Sequence, residues 1–405
     1  MTRYDQATRL RGVHYDVRGA NMREAERLEA LGERIIKLNI GNLAPFGFRA
    51  PETIVRSVVA HLPDSEGYSD ARGIYSARTA VANYYQEFGL DVDVTQIWLG
   101  NGVSELISML LQSLVNPEDE ILIPAPDYPL WTAQVTLSGG VAVHYLCDEA
   151  DEWNPDIADI ESKITARTRA IVIINPNNPT GAVYPESTVR RIVELARRHR
   201  LIVLSDEIYE KIVFTGAHVH TASLTGDDVL CFTFSGLSKA YRACGYRAGW
   251  VVATGPLARA AGLLDGLNLL ANMRMCANVP AQHAIQTALG GHQSVKNYCV
   301  PGGRFYDQCQ LAHELVSQIP GVTCQPAKGA LYLFPKLEPD VYPIEDDEAW
   351  ALGLLQDQKV LVSHGRGFNW PYPDHFRLVA LPEEAVLRKA ISRIGDYLAS
   401  LRDAT

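Results

Sequence analysis

The stretch AIVIINPNNPTGAVYPESTVRRIVELARRHRLIVLSDE, residues 170–207, carries the pattern that decides the fold. It begins with an apolar run (170–174), continues through an amphipathic segment with helical spacing (186–199) and ends on a second apolar run (201–204). Short, continuously apolar runs separated by a helix are typical of parallel strands that are buried on both faces. This stretch therefore predicts a strand–helix–strand crossover.

The same alternation extends in both directions along the chain. Further apolar runs are IWLG (97–100), EILIPAP (120–126), VLCFTFS (229–235) and AGWVVA (248–253). Alternating strands and helices predict an α/β fold in which helices cover both faces of a large, mostly parallel sheet. Ligands usually bind at the carboxyl ends of such strands, so the residues that follow each run are the first candidates for a site.

The C-terminal third has a different pattern, with short strands and helices that predict a smaller α+β domain. Within it, GVTCQPAKGALYLFPKL suggests two strands joined by a turn at Lys328-Gly329. We expect a large domain over residues 48–300, and a small domain that combines residues 301–405 with the N-terminal segment, residues 1–47.

Composition narrows the class of protein. The net charge of the 405 residues is −10, which argues against a nucleic-acid binder or a partner of anionic membranes. The seven cysteines include no C-x-x-C pair, so neither a disulfide framework nor a structural zinc site is expected. With no signal-peptide pattern and no run of 18 apolar residues, we expect a cytoplasmic protein. No metal site is predicted.

The motif LGNGVSE (99–105) follows one predicted strand and opens a helix. A phosphate could bind the amides of Gly102, Val103 and Ser104, because glycine allows close approach and a helix N-terminus favours negative charge. A plain strand–helix turn is the alternative. A dinucleotide fingerprint fails because Glu105 stands where its third glycine belongs.

Two further motifs end in tight turns. In APDYPLW (125–131), Tyr128 could stack on a planar heterocycle or simply pack in the core. In NPNNPTG (175–181), Asn178 precedes a proline, and the rigid turn could direct its amide at a ligand oxygen or serve structure alone.

The last two motifs contain the strongest candidates for chemistry. In SDEIYEK (205–211), Asp206 ends a buried strand and needs a cation, such as a protonated pyridine nitrogen, unless it caps a helix. Tyr209 follows on the same face of a helical turn. In SGLSKAYRACGYRAGW (235–250), Lys239 could be a nucleophile or form a Schiff base, and Ser238 and Arg247 could bind a phosphate.

Taken in this order, the motifs resemble class I pyridoxal-phosphate aminotransferases of fold type I. The resemblance extends from about Tyr15 to the C-terminal helix. Longer segments are similar to the bacterial glutamate–pyruvate (alanine) branch of the family. These segments are KLNIGNLAPFGF (37–48), VIINPNNPTGAVY (172–184), CANVPAQHAIQTALGG (276–291) and FNWPYPDHFR (368–377).

The resemblance implies pyridoxal 5'-phosphate as the cofactor. It implies that Lys239 holds the cofactor as a Schiff base and later acts as a general base. Asp206 is then the partner of the pyridinium nitrogen, Tyr209 and Asn178 donate to the ring's phenolic oxygen, and Tyr128 stacks on the ring.

The phosphate ligands implied by the resemblance are the backbone of residues 102–104, one or more serines, and Arg247. Many relatives have a serine three positions before the lysine, where this chain has Gly236, so Ser235 or Ser238 must take its place. The resemblance also implies that Tyr68 reaches the phosphate of a neighbouring subunit, which predicts a homodimer with shared active sites.

Substrate contacts follow from the same resemblance. Arg377 is expected to clamp the α-carboxylate in a bidentate pair, with help from the Gly41 amide. Arg274 lies one residue out of register with the arginine of dicarboxylate-specific relatives, which argues against dedicated aspartate specificity. Arg18 is our hypothesis for the distal carboxylate of glutamate, with Tyr15 packing over the substrate.

The sequence thus predicts a ping-pong aminotransferase that acts between L-alanine/pyruvate and L-glutamate/2-oxoglutarate. Aromatic, aspartate or broad-range transamination remains open, as does another reaction type on the same fold. A regulator with a borrowed aminotransferase domain would need a DNA-binding segment, and none is recognisable. A nicotinamide dehydrogenase would leave the Lys239 region without a purpose.

Overall fold

A computed structural model describes residues 4–13, 15 and 19–403. The strands are β1 (Ile36–Lys37), β2 (Ile97–Gly100), β3 (Glu120–Ala125), β4 (Val141–Asp148), β5 (Asn154–Pro155), β6 (Thr168–Ile174), β7 (Ile202–Asp206), β8 (Cys231–Gly236), β9 (Gly249–Thr254), β10 (Val322–Thr323), β11 (Tyr332–Leu333), β12 (Lys336–Leu337), β13 (Val360–Leu361), β14 (Ser363–His364) and β15 (Phe376–Val379). The helices are α1 (Ala20–Ala30), α2 (Glu52–Ala60), α3 (Tyr75–Gln86), α4 (Val103–Leu114), α5 (Leu130–Leu137), α6 (Ile157–Ser162), α7 (Glu186–His199), α8 (Ala222–Thr225), α9 (Ala261–Met273), α10 (Val279–Gly290), α11 (Arg304–Ser317), α12 (Asp347–Gln358) and α13 (Glu384–Arg402).

The central feature is an eight-stranded sheet in the order β2-β9-β8-β7-β6-β3-β4-β5. The strands from β8 to β4 in this order are parallel to one another. Strand β9 runs antiparallel to both β8 and β2, because the loop between β8 and β9 contains only a short 3-10 helix and no crossover helix. The predicted α/β fold with a mostly parallel sheet is confirmed.

Helices cover both faces of this sheet. On one face, the amphipathic α7 buries Val189, Ile192 and Val193 against strand residues such as Ile171 and Val203. On the other face, α4 buries its apolar side against β2, β3 and β6 in a separate cluster. Burial of both faces explains why the strand sequences are continuously apolar rather than alternating.

The C-terminal elements surround their own hydrophobic core, built from Leu38 and residues 309–398. Strand β1 joins this region by pairing in parallel with β13, and β15 lies between β11 and β14. The separate core agrees with a small α+β unit that recruits the N-terminal segment. The domain limits given above stay a prediction.

Strands lie on both sides of the turn predicted at Lys328-Gly329, but the two that flank it do not pair with each other. Strand β10 pairs with β12, while β11 pairs with β15. The amides of Lys328 and Gly329 both donate to the carbonyl of Gly181 at 2.9 Å, so this turn lies against the NPNNPTG loop. The chain that follows therefore reaches the carboxyl edge of the central sheet, where it contributes a residue to the site.

None of the helices in the described ranges has both the length and the hydropathy that crossing a lipid bilayer requires.

Candidate active site

A cavity of about 200 Å³ lies beyond the carboxyl ends of β6, β7 and β8. Parallel neighbouring strands bring their final residues to one edge, so motifs far apart in sequence meet there. The predicted residues that line the cavity are Gly41, Val103, Ser104, Tyr128, Asn178, Asp206, Tyr209, Ser238, Lys239, Arg247 and Arg377. Most of the predicted site residues therefore share one cavity.

Lys239 lies in the loop after β8 and directs its amine into the cavity. Its Nζ donates to the Gly41 carbonyl at 2.9 Å and lies 5.8 Å from the ring centroid of Tyr209. Among the described residues, no carboxylate lies within ion-pair distance of this amine. Lys239 is thus held by a neutral acceptor rather than by a salt bridge.

Asp206 ends β7 at the floor of the cavity and is 3% exposed. Its Oδ2 accepts a hydrogen bond from the Trp131 indole at 3.1 Å, and its Oδ1 accepts from the Ile208 amide at 3.3 Å. Burial raises the pKa of Asp206 to about 6, an increase that these two donors limit. A buried carboxylate of this kind is stabilised by a cationic ligand.

Tyr332 is a cavity residue that sequence reasoning missed. Its hydroxyl shares a 2.6 Å hydrogen bond with the hydroxyl of Tyr209, and its ring lies 4.5 Å from the Arg377 guanidinium. The only local signal is an aromatic residue within a strand-like run, which usually indicates core. Tyr332 also fills the space beside Gly41, where an added Cβ would overlap its hydroxyl and lie 3.1 Å from its ring.

One end of the cavity is suited to an anion. Gly102 has φ 81° and immediately precedes α4, whose first residues Val103 and Ser104 line the cavity. The Arg247 guanidinium packs so closely on Gly102 that a Cβ there would overlap it. Backbone amides at a helix N-terminus, a hydroxyl and a guanidinium form a suitable set of phosphate donors.

The structure separates the two serines that the sequence left as alternatives. Ser238 lines the cavity, whereas Ser235 is buried and donates to Glu210 Oε1 at 3.2 Å. Of the two serines, Ser238 is therefore the one that faces the cavity, and its role toward a phosphate stays a prediction.

Arg377 is a buried guanidinium, 3% exposed, on β15. Its Nη1 donates to Asn178 Oδ1 at 2.8 Å, its Nη2 donates to the Asn39 carbonyl, and its Nε is buried without an acceptor. Within the described ranges, Arg377 has no carboxylate partner, and burial lowers its pKa. A desolvated cation in this state provides a site for an anionic ligand.

The remaining predicted residues have different surroundings. Tyr15 shares a 3.0 Å hydrogen bond with the hydroxyl of Tyr128 at the edge of the cavity. Arg18 lies outside the described residues. Tyr68 is 80% exposed and does not line the cavity, so its expected role toward a neighbouring subunit stays a prediction.

Arg274 is occupied by contacts within the chain. It pairs with Glu105 and donates to the carbonyls of Ala71 and Leu99 at 2.9 and 2.7 Å. Its Nε has no acceptor, but a guanidinium that is already paired with a carboxylate is a poor receptor for a substrate carboxylate.

The sheet order and the cavity at its carboxyl edge define a fold type I aminotransferase fold. Consistent with this, residues 33–394 match the family model "Aminotransferase class I and II". The chain therefore belongs to the class I and II aminotransferase family and is an enzyme of the transferase class. Enzymes of this family depend on pyridoxal phosphate.

Individual relatives are similar over nearly the whole chain. Alanine aminotransferase of Mycobacterium tuberculosis is 56% identical over 98% of this chain and 94% of its own length. Glutamate-pyruvate aminotransferase AlaA of Escherichia coli is 52% identical over 98% of this chain and 99% of its own length. The structure of alanine aminotransferase from Pyrococcus furiosus has a TM-score of 0.93 at 34% identity, covering 98% of this chain and 100% of that one.

Proposed function

We propose that this enzyme uses pyridoxal 5'-phosphate to transfer an amino group between L-alanine/pyruvate and L-glutamate/2-oxoglutarate. The observation that carries the proposal is that Lys239 and Arg377 line one cavity and that Arg377 has no carboxylate partner among the described residues. The buried guanidinium matches the α-carboxylate of an amino acid, and the amine is the nucleophile and base that transamination needs beside it. The names of the relatives at 52–56% identity support alanine and glutamate as the substrates.

The residues present fit the cofactor. Asp206 offers a desolvated carboxylate to a pyridinium nitrogen, and the opposite end of the cavity offers Ser104, Ser238 and Arg247 to a phosphate. Tyr128 lines the cavity between these ends, placed to cover a planar ring. When bound, pyridoxal phosphate supplies an aldehyde carbon for amino groups and an aromatic ring that accepts electrons.

The protein's own groups bind the substrate and move its proton. Arg377 binds the α-carboxylate, oriented by the contacts of its Nη1 with Asn178 and its Nη2 with the Asn39 carbonyl. Lys239 Nζ is the base that removes the proton from the substrate Cα, because it is the only lysine among the described residues that line the cavity. The paired hydroxyls of Tyr209 and Tyr332 close the wall beside it and limit the access of water.

The surroundings of Arg274 favour alanine over aspartate, because that guanidinium is bound to Glu105 within the chain.

We further propose that the enzyme is a homodimer in which Tyr68 completes the neighbouring site, as the exposure of its ring allows. Cytoplasmic localisation is part of the same proposal and is supported by seven free cysteines.

The test compares Lys239→Ala with Lys389→Ala, a change of an exposed lysine on α13. Pyruvate formation from alanine and 2-oxoglutarate is measured with the purified holoenzymes. Because a positioned general base contributes about 10²–10⁴-fold, we expect Lys239→Ala to lose at least that factor and Lys389→Ala to keep full activity. Activity retained in Lys239→Ala would refute the proposed role, and faster turnover of aspartate or tyrosine would discard the alanine assignment alone.

A further inference from the structure

A second group of buried titratable side chains lies behind the strand end that carries Asp206. It consists of Glu207 and Glu210, from the turn after β7, and His218 and His220, from the following loop. One nitrogen or oxygen from each residue lies within 4.8 Å of the others. We call this group the Glu–His cluster. The transamination proposed above makes no use of it.

The two carboxylate oxygens of Glu207 have different partners. Its Oε1 accepts from the Ser205 hydroxyl and from the Thr221 amide, both at 2.9 Å. Its Oε2 faces the two histidines, 3.1 Å from His218 Nε2 and 2.6 Å from His220 Nδ1. The protein therefore fixes one oxygen with its own donors and leaves the other to the cluster, as the supporting contacts of metal-bound carboxylates do.

In Glu210 too, one carboxylate oxygen accepts a hydrogen bond from the protein and the other faces the cluster. Its Oε1 accepts from the Ser235 hydroxyl at 3.2 Å. Its Oε2 is buried with no hydrogen-bond donor and lies 3.6 Å from His220 Nδ1. The side chain is 3% exposed, so water does not compensate for the missing donor. A buried carboxylate oxygen that accepts no hydrogen bond, and that is directed into a cluster of ligand atoms, is the observation that points to a bound cation.

Within the described residues, neither carboxylate of the cluster forms an ion pair with a lysine or arginine. Lys211, which follows Glu210 in the chain, instead donates to the Tyr84 hydroxyl at 2.9 Å and lies over the ring of that residue. On the remaining side, the Phe88 ring packs 4.1 Å from the His220 ring and makes the surroundings apolar.

We propose that the Glu–His cluster is a binding site for one divalent transition-metal ion, with Zn²⁺ as the best match. Four ligands of two imidazole nitrogens and two carboxylate oxygens suit a four-coordinate structural zinc site. The ion would join the loop that contains His218 and His220 to the turn between Asp206 and Tyr209. Its role is therefore structural support of the active-site floor. This proposal departs from the sequence prediction of no structural zinc site, which rested on cysteine spacing and did not consider these glutamates and histidines.

The test measures metal binding directly. The holoenzyme is treated with a chelator, dialysed and titrated with Zn²⁺, and bound zinc is counted by mass spectrometry of the elements. We expect about one ion per chain and an affinity at least about tenfold weaker in His218→Gln and His220→Gln. The matched control is His199→Gln, an exposed histidine at the end of α7, which should bind as the unmutated protein does.

Co²⁺ provides a second measurement on the unmutated chain, which does not depend on the folding of a variant. We expect the intense visible absorption of four-coordinate Co²⁺ without the charge-transfer band of a thiolate ligand. No bound metal, or zinc bound equally by both cluster variants, would overturn the proposal. A thiolate band would overturn it as well, because the ion would then lie at a cysteine.

Discussion

Replacing Arg377 with lysine tests the substrate site most directly. The arginine uses separate nitrogens for Asn178 Oδ1 and the Asn39 carbonyl, and its buried Nε is left without an acceptor. The planar guanidinium, with its five N–H donors, can keep these contacts and still present two N–H groups to a carboxylate. A lysine ammonium is a point charge on a flexible stem, so Arg377→Lys keeps the charge and loses the planar set of donors.

The magnitude follows from the hydrogen bonds that are lost. A hydrogen bond to a charged group contributes about 1.5–3 kcal/mol, and the loss is at the upper end where the groups are desolvated, as Arg377 is. Losing one of the two bonds to the carboxylate should therefore cost about 3 kcal/mol, which corresponds to roughly a hundredfold in kcat/KM.

The assay compares L-alanine with ethylamine, which is alanine without its carboxylate. Rates of the amine half-reaction are measured for the unmutated enzyme, for Arg377→Lys and for Arg393→Lys. Arg393 is a matched control because it is half-buried and donates to the Gln358 carbonyl at 2.8 Å, away from the cavity. We expect Arg377→Lys to slow alanine and leave ethylamine almost unchanged. Equal slowing of both amines would show that Arg377 supports the structure instead of binding the carboxylate.

Three further changes test other parts of the site. Gly41→Ala should lower kcat/KM by roughly 5–150-fold, because overpacking against Tyr332 costs about 1–3 kcal/mol. Adding Tyr332→Phe to the same chain should restore part of the lost kcat/KM. If the effects of the two changes on kcat/KM simply multiply, the contact between the two residues is contradicted. Arg247→Ala should weaken pyridoxal-phosphate binding by roughly 10–100-fold with little effect on binding of pyridoxal, as measured by equilibrium titration of the apoenzyme; equal weakening for both ligands would argue against a phosphate contact. Burial raises the pKa of Asp127 to about 7, so between pH ~4 and pH 7 the folded carboxyl keeps a proton that the unfolded chain has released. Urea unfolding should therefore show the unmutated protein losing a few kcal/mol relative to Asp127→Asn as the pH rises from about 4 to 8, and a difference independent of pH would refute the assignment.

The sequence predicts the sheet and the residues at its edge for a simple physical reason. Strands β6, β7 and β8 are parallel neighbours, so the motifs that follow them must meet at one edge. Asn178, Asp206 and Lys239 were found in this way because each lies just beyond a continuously apolar run. Local pattern was sufficient for these residues.

Tyr332 and the contacts of Ser235 required information that local pattern does not contain. Tyr332 reaches the cavity because its strand pairs with β15, in register with Val379, and not with the neighbouring β10. Ser235 is directed to Glu210 by its position within β8, whereas Ser238 lies beyond the strand in the loop. Such pairings depend on the packing of distant segments, which a single sequence does not specify.

The two edges of the central sheet bear on the behaviour of the protein at high concentration. Exposed sheet edges are the usual starting point for aggregation by strand addition. At one edge, β5 has only two residues, and Pro155 has no N–H to donate. At the other edge, the side chains of β2 are buried, and the Leu99 amide already donates to the Arg72 carbonyl at 2.8 Å. Beside β5, the outer edge of β4 is partly covered by side chains, because Asp159 accepts from the Leu146 amide and Lys163 donates to the His144 carbonyl. Only short stretches of backbone at either edge are therefore open to a strand from another molecule.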